Sequence, residues 1–210
     1  KEPFSLGANL AAVSPAIAAK EWDKIDAVVA KFQRTAMRLR HSLIPTVCAV
    51  RGMALGGSCE FILHADRTVA ALESYIGLVE VGVGLLPAGG GSKEFAVRAA
   101  EEVRRGANGS QIDQFPFIRT YFQPIATAVV AKSALDAKDL GFLRASDVVV
   151  MNADELLYVA KGQARALADA GYRPPLPARN IPVAGKTGFA TLQMMLVNMR
   201  DGGFISAYDF

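Results

Sequence analysis

Apolar positions recur along this chain with two different periods. Between residues 17 and 41 they fall at helical spacing (Ile25, Val28, Val29, Phe32, Met37, Leu39) with charges between them, which predicts a helix ended by Pro45. Thr46 to Val50 is a short continuous apolar run and predicts a buried strand. A helix over about 57–65 and strands over 67–71 and 75–78 follow. Upstream, residues 4–10 read as a strand end entering a turn at Gly7, with a helix starting near Ala8. Downstream, 87–92 is a turn, Ser92 is placed to cap a helix over 93–105, and Gly106 to Gly109 breaks the chain. Helices over about 113–131 and 134–141, the latter capped by Ser133, precede a strand over 146–151. Asn152 is placed to cap a helix over 153–170. Pro174, Pro175, Pro177 and Pro182 then mark an extended linker, and Leu192, Met195, Leu196 and Met199 predict an amphipathic helix over 187–199. Strands alternating with helices give an α/β class with a helical C-terminal third.

The 210 residues, 51% of them hydrophobic, suffice for one sizeable core. A net charge of +3 carried by scattered residues argues against a nucleic-acid partner. Cys48 and Cys59 lie in apolar segments without CxxC spacing, which suits a reduced, cytoplasmic protein and small core side chains. With only His41 and His64 besides, no usual zinc spacing arises, and no metal is expected. Arg51, Glu60 and Glu80 interrupt the longest apolar runs below the roughly 18 residues of a membrane span, and no signal peptide is visible. The chain opens at Lys1 and closes at Phe210 in mid-pattern, so a longer parent protein is expected.

Chemistry concentrates in Gly52 to Glu60 and in Glu80. The pair Gly56-Gly57 leads into an apolar helix, which places free backbone N–H groups at a helix start, where they can hold developing negative charge. Glu60 and Glu80 both have apolar neighbours that disfavour ionisation. Two such carboxyls beside an anion-stabilising turn suggest acid/base chemistry on a carbonyl compound, although each also reads as an ordinary helix or loop glutamate. His64, one turn after Glu60, is placed either to orient that carboxylate or to be a satisfied helix histidine. Ala184 to Thr187 is similar to the end of a phosphate loop, but Asn180 stands where the leading Gly must be. Gly57-Ser58-Cys59-Glu60 lacks the last Gly of a nucleophile elbow, and Gly89 to Gly91 is not a dinucleotide fingerprint.

Four ordered motifs carry a family resemblance. Phe4 to Leu10 resembles F-x-x-G-A-D-[IL], and Pro45 to Glu60 resembles a longer motif ending G-G-G-x-E. Val79 to Gly91 resembles P-E-x-x-x-G-[LI]-x-P-G-x-G-G, and Ser133 to Leu143 resembles S-A-x-E-A-x-x-x-G-L-V. Together they resemble the crotonase (enoyl-CoA hydratase/isomerase) superfamily over roughly residues 1–150. Leu86 to Glu94 and the tail from Gly171 to Gly203 further resemble the crotonase portion at the C-terminal end of bacterial long 3-hydroxyacyl-CoA dehydrogenases of fatty-acid β-oxidation.

The resemblance implies a ClpP-like spiral of ββα units, truncated at its N-terminus. Residues 1–150 would form the catalytic core and 151–210 a helical and linker region. It implies a lyase that adds water to trans-2-enoyl-CoA, with the backbone N–H groups of Ala8 and Gly57 as the oxyanion hole and Glu60 and Glu80 as the catalytic acids. Alternatives are a Δ3,Δ2-enoyl-CoA isomerase, which would need essentially Glu80 alone, and a non-catalytic assembly or docking domain. Acyl-CoA would arrive as substrate and no cofactor would be held in this portion, with NAD confined to the dehydrogenase portion. Partners would be further copies of the chain or the dehydrogenase domains. Asn9, Ser58, Val79 and Ala88 depart from the family pattern, the first two predicting altered loop geometry beside the oxyanion hole. The family's opening strands, with much of the adenine pocket, would lie upstream of Lys1.

Overall fold

A computed structural model describes residues 3–107 and 112–210. Helices α1 (Leu10–Ala18) and α2 (Trp22–Arg40) open the chain. The single helix predicted over 17–41 is therefore cut: Lys20 adopts a left-handed φ of +56°, and α2 starts only at Trp22. Asn9 caps α1, its Oδ1 accepting the Ala11 N–H at 3.1 Å. On α2 the covered side chains are Ile25, Val29, Phe32, Ala36 and Leu39, a stripe at helical spacing; Val28 lies off it and is exposed.

The centre is built from strand–strand–helix units. Strands β1 (Val47–Val50) and β2 (Met53–Leu55) lead into α3 (Gly57–His64). Strands β3 (Arg67–Ala71) and β4 (Tyr75–Gly77) lead through a 3-10 turn (Glu80–Val83) into α4 (Gly91–Ala107). After α5 (Phe115–Ala126) come β5 (Val130–Ala131), α6 (Ala134–Asp139), β6 (Val148–Val150), α7 (Leu156–Asp169) and α8 (Gly185–Asp201). First strands pair with first strands, second with second. One sheet has order β1-β3-β6, all parallel; the other has β2-β4-β5, with β5 antiparallel. Val47 faces Arg67 in one register and Met53 faces Tyr75 in the other, so each unit repeats the placement of the last. Residues 4–5 extend the second sheet: Ser5 bridges Ala54, and Leu55 donates its N–H to Ser5 O at 3.1 Å.

Several boundaries differ from the sequence reading. Helix α4 starts at Gly91 and continues through Gly106; Ser92 is no cap, its hydroxyl instead reaching Pro87 O at 3.3 Å. Asn108 and Gly109 of the predicted break lie outside the described residues. Helix α5 stops at Ala126, because Ala128 turns to φ +48° and the apolar residues beyond it pair with β4. That pairing needs Gly77, where a Cβ would lie 2.7 Å from Val129 O. The predicted caps Ser133 and Asn152 do accept backbone N–H groups, from Asp136 and Asp154.

The main core joins α3 (Cys59, Ile62, Leu63), the strands (Val50, Ala70, Ile76) and α4 (Phe95, Ala99) with Phe142 and Leu143. On the other face of the first sheet, Leu156 and Ala160 of α7 pack on Val69 among Val47, Ala49, Val148 and Val150. Each fully buried Val, Leu, Ile or Phe among them contributes about 1.5–3 kcal/mol by leaving water. Phe142 is fully buried with its ring 5.4 Å from that of Phe95. Phe142→Ala is expected to cost about 3–5 kcal/mol of stability in urea unfolding.

Candidate active site

Two short segments meet at the start of α3. Gly56 precedes the helix at φ +57° and donates its N–H to Gly77 O at 2.9 Å, which ties this turn to β4. Helix α3 has no side-chain cap, so its first amides, that of Gly57 included, have no intrahelical acceptor. The Ser58 hydroxyl lies 2.6 Å from Leu55 O and 2.9 Å from Ser5 O, holding the two segments together. The departure from glycine at this position thus staples the loop. Gly7 packs so closely that a Cβ there would lie 2.8 Å from Leu55 O and 3.6 Å from Gly57 N. Ala8, the next residue, follows directly from this contact and is exposed.

Glu60 is 3% exposed on the first turn of α3. Its Oε1 accepts the N–H of Gly91, the first residue of α4, at 2.8 Å. Burial pushes its pKa up, while the N–H groups of Gly91, Gly89 and Gly90 pull it back by stabilising the carboxylate. The positive end of the α4 dipole acts in the same direction. The glycines are there for room: a Cβ on Gly89 would fall 2.3 Å from Glu60 Oε2 and 2.3 Å from Phe32 Cε1.

Glu80 opens the 3-10 turn after β4. Burial pushes its pKa up to about 7, and the nearby Glu60 charge adds to the rise. Its Oε2 is buried and has no hydrogen-bond partner among the described residues. The two acids flank one dipeptide. Glu80 Oε1 is 3.5 Å from the Cβ position of Gly56, and Glu60 Oε2 is 3.8 Å from that of Gly57. Phe32 of α2 covers this point, its ring edge 3.2 Å from the Gly57 Cβ position and its centroid 4.5 Å from that of Phe61. Gly57, Glu60 and Glu80 of the residues singled out in the sequence therefore gather around the α3 N-terminus, and Ala8 follows Gly7, which packs against it.

His64 does not orient the Glu60 carboxylate. Its Nδ1 donates to the Glu60 backbone O at 2.7 Å, and its Nε2 accepts from Lys93 Nζ at 3.1 Å. Burial lowers its pKa to about 4, so it is a neutral, satisfied helix histidine. Beneath it, Glu94 is 2% exposed and draws together cations from three parts of the chain. Arg40 of α2 donates to Glu94 Oε2, Lys93 Nζ lies 2.5 Å from Oε1, and Arg144 NH2 is 3.8 Å from Oε2. Buried Arg98 donates to Gly141 O at 2.6 Å and Phe142 O at 3.1 Å. This charge hub fixes the first turn of α4, and with it the amides that hold Glu60.

The sequence reading missed the Gly89–Gly91 cradle, Phe32 and the Glu94 hub. The glycine triplet was the available signal, since nothing about a mere turn demands three. Lys93 and Glu94 are neighbours in the chain, but Arg40 and Arg144 are joined to them only by the fold.

The raised Glu80 pKa has a definite sign. A carboxyl whose folded pKa exceeds its unfolded value favours the folded state below the unfolded pKa, and that contribution is lost as pH rises through the folded one. Stability contributed by this group is thus expected to fall between about pH 4.5 and about pH 7. Glu80→Gln should flatten that part of the stability–pH curve in urea titrations; an unchanged curve would place the group in water.

The profile of the Enoyl-CoA hydratase/isomerase family matches residues 1–104. A probable 3-hydroxyacyl-CoA dehydrogenase of Bacillus subtilis is 40% identical over 207 residues, which is 99% of this chain and 25% of that protein. A fatty acid oxidation complex subunit alpha of Idiomarina loihiensis is 36% identical over 118 residues, 54% of this chain and 16% of that protein. The chain thus spans about a quarter or less of the length of these relatives. Among solved structures, an enoyl-CoA hydratase/isomerase from Xanthobacter autotrophicus aligns with TM-score 0.57 and 22% identity, covering 94% of this chain and 61% of that one. An enoyl-CoA hydratase from Polaromonas sp. aligns with TM-score 0.56 and 19% identity over 93% of this chain and 69% of that one.

Proposed function

We propose that the chain is a member of the enoyl-CoA hydratase/isomerase family, whose profile matches residues 1–104, and that its two buried acids add water to a trans-2-enoyl-CoA. One observation carries this reading: Glu60 and Glu80 flank the same Gly56-Gly57 turn, and burial pushes the pKa of both upward. Glu60, whose carboxylate form the amides of residues 89–91 favour against the effect of burial, takes a proton from water. The water oxygen bonds to Cβ, and the electron pair of the double bond moves through Cα onto the thioester oxygen. The N–H groups of Ala8 and Gly57 hold that oxygen; a donor of this kind is worth about 3–4 kcal/mol of barrier. Glu80, kept protonated by burial, delivers its proton to Cα and the thioester carbonyl re-forms. Proton exchange with solvent resets both acids. Phe32 keeps the pair dry, so the enoyl chain must turn that ring aside to reach Glu60.

The step itself uses no redox group. The length and name of the Bacillus subtilis relative support a parent protein that also carries an NAD-dependent dehydrogenase. This portion would pack on those domains or on further copies of itself, acting in the cytoplasm on acyl-CoA made during fatty-acid oxidation. Among the described residues no helix is long and apolar enough to cross a membrane.

Glu60→Gln and Glu80→Gln in the full-length protein are each expected to lower kcat for crotonyl-CoA hydration roughly 10²–10⁴-fold. Because Glu80 must be protonated, the wild-type rate is expected to fall as pH rises through about 7. Rapid conversion of a 3-enoyl-CoA with no hydration of crotonyl-CoA would replace this reading with isomerisation, and unchanged hydration by Glu80→Gln would favour a docking role.

A further inference from the structure

Glu80 stands on a turn that the core holds thinly. None of residues 80–83 is fully buried. Val81, Gly82 and Gly84 border a cavity of about 480 Å³, with Met199 of α8 and Phe204 and Ile205 just after it on the other side. Side chains facing such a space lack dispersion partners across it, so packing does little to fix the turn from that direction.

A hydrogen bond crosses instead. Tyr208 lays its ring on Gly84, where a Cβ would lie 3.2 Å from Tyr208 Cε1, and its hydroxyl donates to Gly84 O at 3.2 Å. The same peptide unit donates the Leu85 N–H to Glu80 O at 3.0 Å. One planar group therefore links Tyr208 to the backbone of the acid, and a bond accepted at its oxygen polarises the N–H it donates. Tyr208 is presented by a turn that closes on itself. Asp209 Oδ2 accepts the Ser206 hydroxyl at 2.6 Å and the Ser206 N–H at 3.0 Å, and the Asp209 N–H donates to Ser206 Oγ at 3.2 Å. The Arg200 guanidinium lies 4.5 Å from the centre of the Phe210 ring, which holds this turn to the end of α8. Little further ordering is needed for the hydroxyl to dock.

We propose that Tyr208 is a positioning residue for Glu80, acting through the Gly84–Leu85 peptide to hold the turn of that acid against the Gly56-Gly57 start of α3. The kinetic consequence rests on the hydratase reading; the contact and its effect on the surroundings of Glu80 do not. The other titratable groups near Glu80 are Glu60 and Cys59 on α3, and Asp209 across the cavity is tied to Ser206.

Two measurements on the full-length protein test this. Tyr208 is 80% exposed, so Tyr208→Phe removes the hydroxyl without opening the core. Its kcat for crotonyl-CoA hydration is expected to fall about fivefold, the factor one neutral hydrogen bond supplies, with KM unchanged. The alkaline limb of its pH–rate profile, at about 7 in the wild type, should move to lower pH as water reaches Glu80 Oε2. The second measurement needs no turnover. In urea titrations the loss of stability between about pH 4.5 and about pH 7 is expected to end at a lower pH in Tyr208→Phe. Asp209→Ala, which undoes the turn presenting Tyr208, should shift that step the same way. A step that stays at its wild-type pH in Tyr208→Phe, or that the wild type lacks, overturns the proposal whatever happens to kcat. Normal hydration by Glu80→Gln would remove the hydratase reading, and the step would still decide the role of Tyr208.

Discussion

The hydrogen bond from the first amide of α4 to the Glu60 carboxylate joins the two helices on which the site is built. Without it, Glu60 would be a carboxyl on an apolar helix, neutral and unoriented. With it, α3 and α4 share one end point, and the unsatisfied donors of one helix serve as counter-charge for an acid on the other. The same contact explains why α4 needs no serine cap of its own: the capping carboxylate comes from outside the helix. Glu80 differs in its partners: one of its oxygens is buried with no hydrogen-bond partner among the described residues.

Two further devices hold the parts in place. The Ser58 hydroxyl closes the Ser5 and Leu55 carbonyls onto the α3 start, so the N-terminal segment is held to the centre by more than its short strand pairing. The Glu94 hub gathers α2, α4 and the segment after Phe142 around one buried carboxylate. A buried ionic cluster of this kind costs desolvation and is weak evidence of stability by itself. Its directional bonds specify where the first turn of α4 lies, and they leave His64 neutral beside it.

The legible parts of the sequence were those whose local chemistry and tertiary environment agree. Arg67–Ala71 reads as a strand, and the fold buries it from Thr68 onward, while Ser133 and Asn152 cap as their side chains predict. The four candidate residues were singled out through ordered motifs, since Glu60 alone is one glutamate among many. The break at Lys20 left no trace, because the residues around it favour helix and only the packing of α2 requires the chain to turn. Likewise Val130 and Ala131 look helical until β4 offers them partners. The carboxylate cradle joins Glu60 to residues about thirty positions on, and the charge hub brings Arg40 and Arg144 to Glu94 from fifty or more positions away, separations no local pattern encodes.

Mutational tolerance is consequently uneven around this centre. A single methyl on Gly89 collides with Glu60 and Phe32, one on Gly90 with His64, and one on Gly91 presses on Pro87 and Leu78. Three adjacent positions are thus closed in three unrelated directions, and no one compensating change elsewhere can reopen them. Sequence drift in this loop is blocked unless the acid and the helix entry are abandoned together, whereas Ser58 and Val79, whose side chains have found room, mark where divergence could proceed.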